Sequence, residues 1–88
     1  MSFHSQREYL NHGDVVEVAC SHHCEIVLLD DNNFFNYKNA RPFTRHDGGF
    51  FTMFPARLLV PQAGYWNIVI DLGGGNATIR HLIRIVRS

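Results

Sequence analysis

The sequence predicts an all-β fold: a single small β-sandwich, jelly-roll-like or Greek-key, of about seven or eight short antiparallel strands across residues 1–88, with a small barrel as the alternative. Three observations lead there. Val, Ile and Thr number 16 and aromatic residues 11, against 11 for Ala, Glu, Lys and Gln together. β-Branched and aromatic side chains suit a pleated, half-buried surface, whereas the second set fills helices. Gly, Asn, Asp, Pro and Ser supply 26 positions, clustered between the apolar runs as turn chemistry. Finally, 88 residues make one domain with one modest core, since a chain this short removes only about two thirds of its unfolded surface from water.

Each element follows from local pattern. Residues 3–9 read as a weak first strand, ended by the turn Asn11-His-Gly-Asp14. Residues 14–20 alternate, with Val16, Val18 and Cys20 on one face and Val15, Glu17 and Ala19 on the other, which is the period of a half-buried strand. Ser21-His-His23 connects to a second run in which Cys24, Ile26 and Leu28 share a face, so the two runs read as a hairpin with the cysteines flanking its loop. Residues 31–41 hold Phe34, Phe35 and Tyr37 among four asparagines, a long connection with room for one helical turn capped by Asp30 or Asp31.

Residues 42–46 and 50–54, joined by Asp47-Gly-Gly49, predict a second hairpin. Pro55 cannot donate to a ladder, so 56–60 is either a separate strand or the far side of an edge bulge. After the turn Pro61-Gln-Ala-Gly64 comes the cleanest alternation: Trp66, Ile68, Ile70 and Leu72 point one way, and Asn67, Val69 and Asp71 the other. The Gly73-Gly-Gly75-Asn76 turn leads into a long last strand, 77–86, with Ile79, Ile83 and Ile85 on one face and His81 on that same apolar side.

Charge excludes some functions. Eight basic and eight acidic residues cancel, so no net positive field draws the chain to nucleic acid or an anionic membrane. The balance is uneven along the chain: residues 1–44 carry a net of minus 3 and residues 45–88 a net of plus 3. The halves then pair within one domain, or Arg80 and Arg84, flanking Leu82 on one face of the last strand, form a basic stripe suited to phosphate or carboxylate. No apolar run nears the roughly 18 residues of a membrane span, and the first ten residues lack the apolar stretch of a signal peptide. The expected setting is a bacterial, reducing cytoplasm, where Cys20 and Cys24 stay thiols.

The sharpest chemical cluster is Cys20-Ser-His-His-Cys24. Thiolate and imidazole suit zinc or copper, and a loop tip could gather Cys20, His22, His23 and Cys24. A structural site more commonly uses two separated pairs, and no second pair occurs, so the preferred reading makes the cysteines small buried apolar groups. The glycine run lacks the Lys-Ser/Thr of a phosphate loop, and Asp30 and Asp31 lack the spacing of a calcium loop. Neither a catalytic constellation nor a cofactor signature is legible, so the chain reads as a non-enzyme without cofactor.

Several linked motifs resemble one small bacterial family: Tyr9-Leu-Asn-x-Gly-Asp14, Cys20-Ser-His-x-Cys24, Asp31-x-Asn-Phe-x-Asn-Tyr-Lys38, Phe54-Pro-Ala-Arg57, and Gly64-x-Trp-Asn-x-x-Ile-Asp-Leu-Gly-Gly-Gly75 with Ile79-Arg-His81. Together they span essentially the whole chain and resemble the domain of unknown function DUF1883. The resemblance implies a compact β-rich domain that occurs alone or, in some relatives, ahead of a Toll/interleukin-1 receptor-like domain, as a sensing or docking module would; no such second domain stands within these 88 residues.

The functional expectation is a non-catalytic binding or docking module for a ligand or protein partner. Its aromatic and arginine surface would use Phe34, Phe35, Tyr37, Arg41 and Arg45 of the 31–54 region. The alternatives are a nucleotide or single-stranded nucleic-acid binder on the Arg80 and Arg84 face and, behind it, the metal site. Self-association through open sheet edges is a further expectation.

Overall fold

The computed structural model describes residues 3–71 and 80–88. Seven strands and one helix follow in chain order: β1 (Phe3–Leu10), β2 (Val15–Cys20), β3 (Cys24–Leu29), α1 (Asp31–Lys38), β4 (Asp47–Phe51), β5 (Ala56–Leu59), β6 (Gly64–Asp71) and β7 (His81–Val86). They form two antiparallel sheets, β1-β6-β3-β4 and β5-β2-β7, packed as a β-sandwich. The expected barrel alternative falls away, because the sheets do not close on each other. Residues 72–79, which hold the predicted glycine turn, Leu72, Ile79 and the start of the predicted last strand, lie outside the described residues.

The core between the sheets is what the alternation dictates. Val16 and Val18 of β2, Ile26 and Leu28 of β3, Leu58 of β5, and Trp66, Ile68 and Ile70 of β6 point inward and are buried. The Trp66 indole N–H donates to the Gln62 carbonyl at 3.0 Å, so the largest core side chain buries no unpaired donor.

Two connections differ from the sequence expectation. Residues 14–20 and 24–29 do not pair as a hairpin: β2 bonds to β5 and β7, β3 bonds to β4 and β6, and Ser21-His-His23 arches from one sheet to the other. Alternation specifies which side chains face inward, and an arch satisfies that as well as a hairpin does. Nor do residues 42–46 form a strand. Asp47-Gly48-Gly49 is not a turn but the body of β4, lying against Leu28, Val27 and Ile26. At Gly48 (φ +124°) a Cβ would run into the Ile26 carbonyl oxygen and sit 2.7 Å from Val27 Cα, so this close approach requires glycine. Of the two expectations after Pro55, the separate strand holds: β5 lies at the edge of its sheet.

The aromatic connection is a full helix. Asp30 caps α1 through Asn33 N–H at 2.8 Å, Asp31 stands in its first turn and Lys38 in its last, as the helix dipole favours. Phe34 and Tyr37 pack with Phe3 onto Val27, Leu29 and Val69, the outward side of the four-stranded sheet. The middle of that sheet is therefore covered on both faces, which explains why Ile26-Val27-Leu28-Leu29 is apolar without alternation.

The two charge halves do pair. Arg57 and Arg84 reach Glu17, and Arg87 reaches Asp14 at 3.0 Å. Asp14 is buried, and the main-chain N–H groups of Asn11 and Ser88, joined by Arg87, hold its carboxyl below the usual range.

Candidate functional site

The structure separates the residues expected to form an aromatic and arginine surface. Tyr37 is 7% exposed, and its hydroxyl donates to Asp71 at 3.3 Å. Burial first, then the Asp71 carboxylate, push this phenol up to about 12. Phe34 is half-buried, edge-on to Phe3, with the Lys38 ammonium 4.8 Å above its ring. These two rings fasten α1 to the sheet. Phe35 is exposed with the Arg41 guanidinium 5.6 Å from its ring centre, and Arg45 is exposed further along the chain. What remains outward-facing of the predicted patch is thus Phe35, Arg41 and Arg45.

The Cys20 to Cys24 cluster divides in the same way. Both cysteines are free thiols on the inner side of the sandwich, Cys24 buried and Cys20 half-buried against the core. Burial, followed by a hydrogen bond with Cys20, raises the Cys24 thiol. His22 and His23 are exposed on the arch, His22 beside the Ser21 hydroxyl at 2.8 Å and His23 edge-on to Phe50. Among the described residues no three His, Cys, Asp or Glu side chains gather to hold a metal ion. The Ser21 and His22 contact also lacks the third group of a catalytic chain: among the described residues, no hydrogen bond orients the far nitrogen of His22, and Ser21 Oγ is occupied by the Arg80 N–H at 2.9 Å.

A different surface comes together on the outer face of the three-stranded sheet. Register sets its side chains in rows: Leu59, Val15 and Val86; then Arg57, Glu17 and Arg84; then Ala19 and Leu82. Leu59 is 57% and Leu82 69% exposed. Glu17 Oε2 lies 2.9 Å from Arg57 Nε, and its Oε1 3.6 Å from Arg84 Nε, so one carboxylate serves two guanidinium groups. Small Ala19 floors two shallow depressions: one of about 270 Å³ toward Ser21, Arg80 and His81, the other of about 220 Å³ toward Pro55 and Arg84. Arg80, Leu82 and Arg84 thus share the face the sequence assigns them. His81 does lie on the apolar side with Ile83 and Ile85, but at its exposed end, its ring centre 4.1 Å from that of His4.

Sequence reasoning missed Arg57, Glu17 and Leu59, which join this surface only through the β2 to β5 register. It also missed a second polar-aromatic group, in which Arg7 lies 4.0 Å over the Tyr65 ring, Tyr65 meets Tyr9 edge-on, and Arg7 and Asn67 both bond Asp31. The available signal was the period-2 spacing of Arg7 and Tyr9, which places both on one face of the first strand.

Fold and surface together define a small β-sandwich with one sheet roofed over its middle by a helix and the other presenting an apolar and basic face that no helix covers among the described residues. Within that class, the chain belongs to the DUF1883 family, described as a domain of unknown function, whose family model matches residues 1–88. Comparison with curated proteins finds no match, and neither does comparison with solved structures. Among the described residues no helix is long and apolar enough to cross a membrane.

Proposed function

We propose that this chain is a non-catalytic docking module that takes a carboxylate-bearing protein segment on the outer face of the β5-β2-β7 sheet. The observation that carries the reading is an asymmetry. Helix α1 covers the middle of the outer side of one sheet, leaving Tyr9, Tyr65 and Phe50 exposed at its margins. The other sheet has no covering helix among the described residues and leaves Leu59 and Leu82 in water beside Arg57, Arg80 and Arg84, with Glu17 as the one carboxylate among the described residues of that face. Exposed apolar area rimmed by under-neutralised arginines favours a partner with both apolar and acidic side chains. The same face carries no aromatic ring among its described residues, so it offers no stacking platform for nucleotide bases.

The test is a binding screen of the parent, Leu82→Ser and Arg84→Ala against acidic, neutral and basic peptides, nucleotides, sugars and single-stranded DNA at low salt. Acidic apolar peptides are expected to bind the parent and to weaken in both variants with melting unchanged. Binding confined to nucleotides or DNA, or binding lost only in Phe35→Ser and Arg41→Ala, overturns the reading and moves the site to the helix.

A further inference from the structure

The two sheets are unequal, four strands facing three, and the inequality appears at one side of the sandwich. On the β5 side the inward residues Ala56 and Leu58 are buried, and Asp47 of β4 accepts the Leu59 N–H at 2.9 Å, sealing the layers together. At the opposite side the inward residues Ile83 and Ile85 of β7 are only half-buried, and so are the inward residues His4, Gln6 and Glu8 of β1. Among the described residues, a strand position beside β7 stands open there.

The phase of the ladder shows what that edge offers. Ser21 N–H donates to the Arg80 carbonyl at 2.9 Å and Arg80 N–H returns to the Ser21 hydroxyl oxygen, which places these two residues, next beyond the Cys20 and His81 pair, at a hydrogen-bonding position of the β2 to β7 register. In antiparallel pairing such pairs recur at every second residue. Leu82, Arg84 and Val86 therefore bond toward β2, and the main-chain groups of His81, Ile83 and Ile85 point away from it, to the side where no strand among the described residues neighbours β7. β7 carries neither the proline nor the lysine that commonly guards an edge, whereas β1 turns Glu8 inward, a known guard.

We propose that the β7 edge receives an extended segment of a protein partner as a fourth strand, bearing carboxylates at two alternate outward positions on either side of an apolar residue. This rests on the docking reading of the outer face. Side chains of an added strand lie about 5 Å from those directly opposite, so such a segment sets its carboxylates against Arg80 and Arg84 and its apolar residue against Leu82. Its inward side chains meet His4, Gln6 and Glu8, which suits small hydroxyl residues. A second copy pairing β7 with β7 fits worse: residues 80–86 hold no acidic side chain to set against Arg80 and Arg84.

The probe is the acetylated and amidated peptide Thr-Glu-Thr-Leu-Thr-Glu-Thr, titrated into the isotope-labelled 88-residue protein with amide exchange followed residue by residue. Binding is expected to slow exchange at His81, Ile83 and Ile85, to weaken about tenfold in the Arg80→Ala, Arg84→Ala double variant with melting unchanged, and to vanish when alternate peptide nitrogens are methylated. Binding that shifts Arg57, Glu17 and Leu59 without protecting β7 overturns strand addition and leaves the docking face standing. No binding of this peptide, while other acidic peptides from the screen bind the face, has the same consequence. Silence of the face toward every acidic peptide overturns both readings, and a β7-paired dimer of the free protein overturns the choice of partner.

Discussion

Arg7 grips Asp31 at two points, Nε 3.0 Å from Oδ1 and Nη2 2.7 Å from Oδ2, and so ties the edge strand β1 to the first turn of α1. The same carboxylate accepts from Asn67 of β6 at 2.8 Å. One acidic side chain thereby holds the helix over two strands.

This pair has a pH signature. Hydrogen bonds from Arg7 and then Asn67 lower Asp31 from 3.8 to about 2, so the folded state binds its proton more weakly than the unfolded chain does. The stabilisation is complete above the unfolded value and is lost as pH falls from about 3.8 through about 2. Because the pair is half in solvent, Asp31→Asn should cost only about 0.5–1 kcal/mol at neutral pH. Denaturant melts of parent and variant from pH 7 to pH 2 check this: the gap should close toward pH 2, and a constant gap would be wrong for a charge effect.

Trp66 is 2% exposed in the centre of the core. Trp66→Ala should remove about 3–5 kcal/mol, a large share of what a domain of this size holds. Thermal melting followed by circular dichroism decides it, and a variant that melts within a few degrees of the parent would refute the burial.

Neighbouring glycines should behave differently. Gly48→Ala drives a Cβ into the Ile26 and Val27 backbone, while a Cβ at Gly49 (φ +155°) has nothing within 4 Å. The first is expected to cost about 3 kcal/mol or more through strain and backbone displacement, the second about 1 kcal/mol through its dihedral alone. Equal costs in paired denaturant melts would contradict the close approach of β4 to β3.

The two thiols should differ in reactivity. Cys24 is buried with its thiol raised, and Cys20 is half-buried beside the arch. Iodoacetamide at pH 8 should alkylate Cys20 in the native protein and reach Cys24 only on unfolding, as peptide mass mapping would show. Prompt native labelling of Cys24 would place it at the surface.

Much of this architecture was legible along the chain. The alternations at Val16 and Val18 and at Trp66, Ile68 and Ile70 named inward faces correctly, because side-chain direction in a strand has a period of 2 that needs no knowledge of the partner. Asp30 and Asp31 marked one capped helical turn, because a cap reaches only three residues ahead, but not the eight-residue length of α1. Strand pairing was not legible: a three-residue link such as Ser21-His-His23 serves a hairpin or an arch equally, and the choice depends on β5, β6 and β7, far away in sequence.

The candidate surface divides along the same line. By itself the sequence determined that the chain would form short antiparallel strands, which faces would be apolar, and that Arg80, Leu82 and Arg84 would share one side, all consequences of local geometry. Only the tertiary structure decided that Phe34 and Tyr37 roof one sheet while Arg57, Glu17 and Leu59 join the bare face of the other. Covering and exposure depend on which surfaces meet when the chain closes on itself, and those contacts join residues far apart in sequence, such as Tyr37 and Asp71, 34 positions apart, and Arg57 and Glu17, 40 apart.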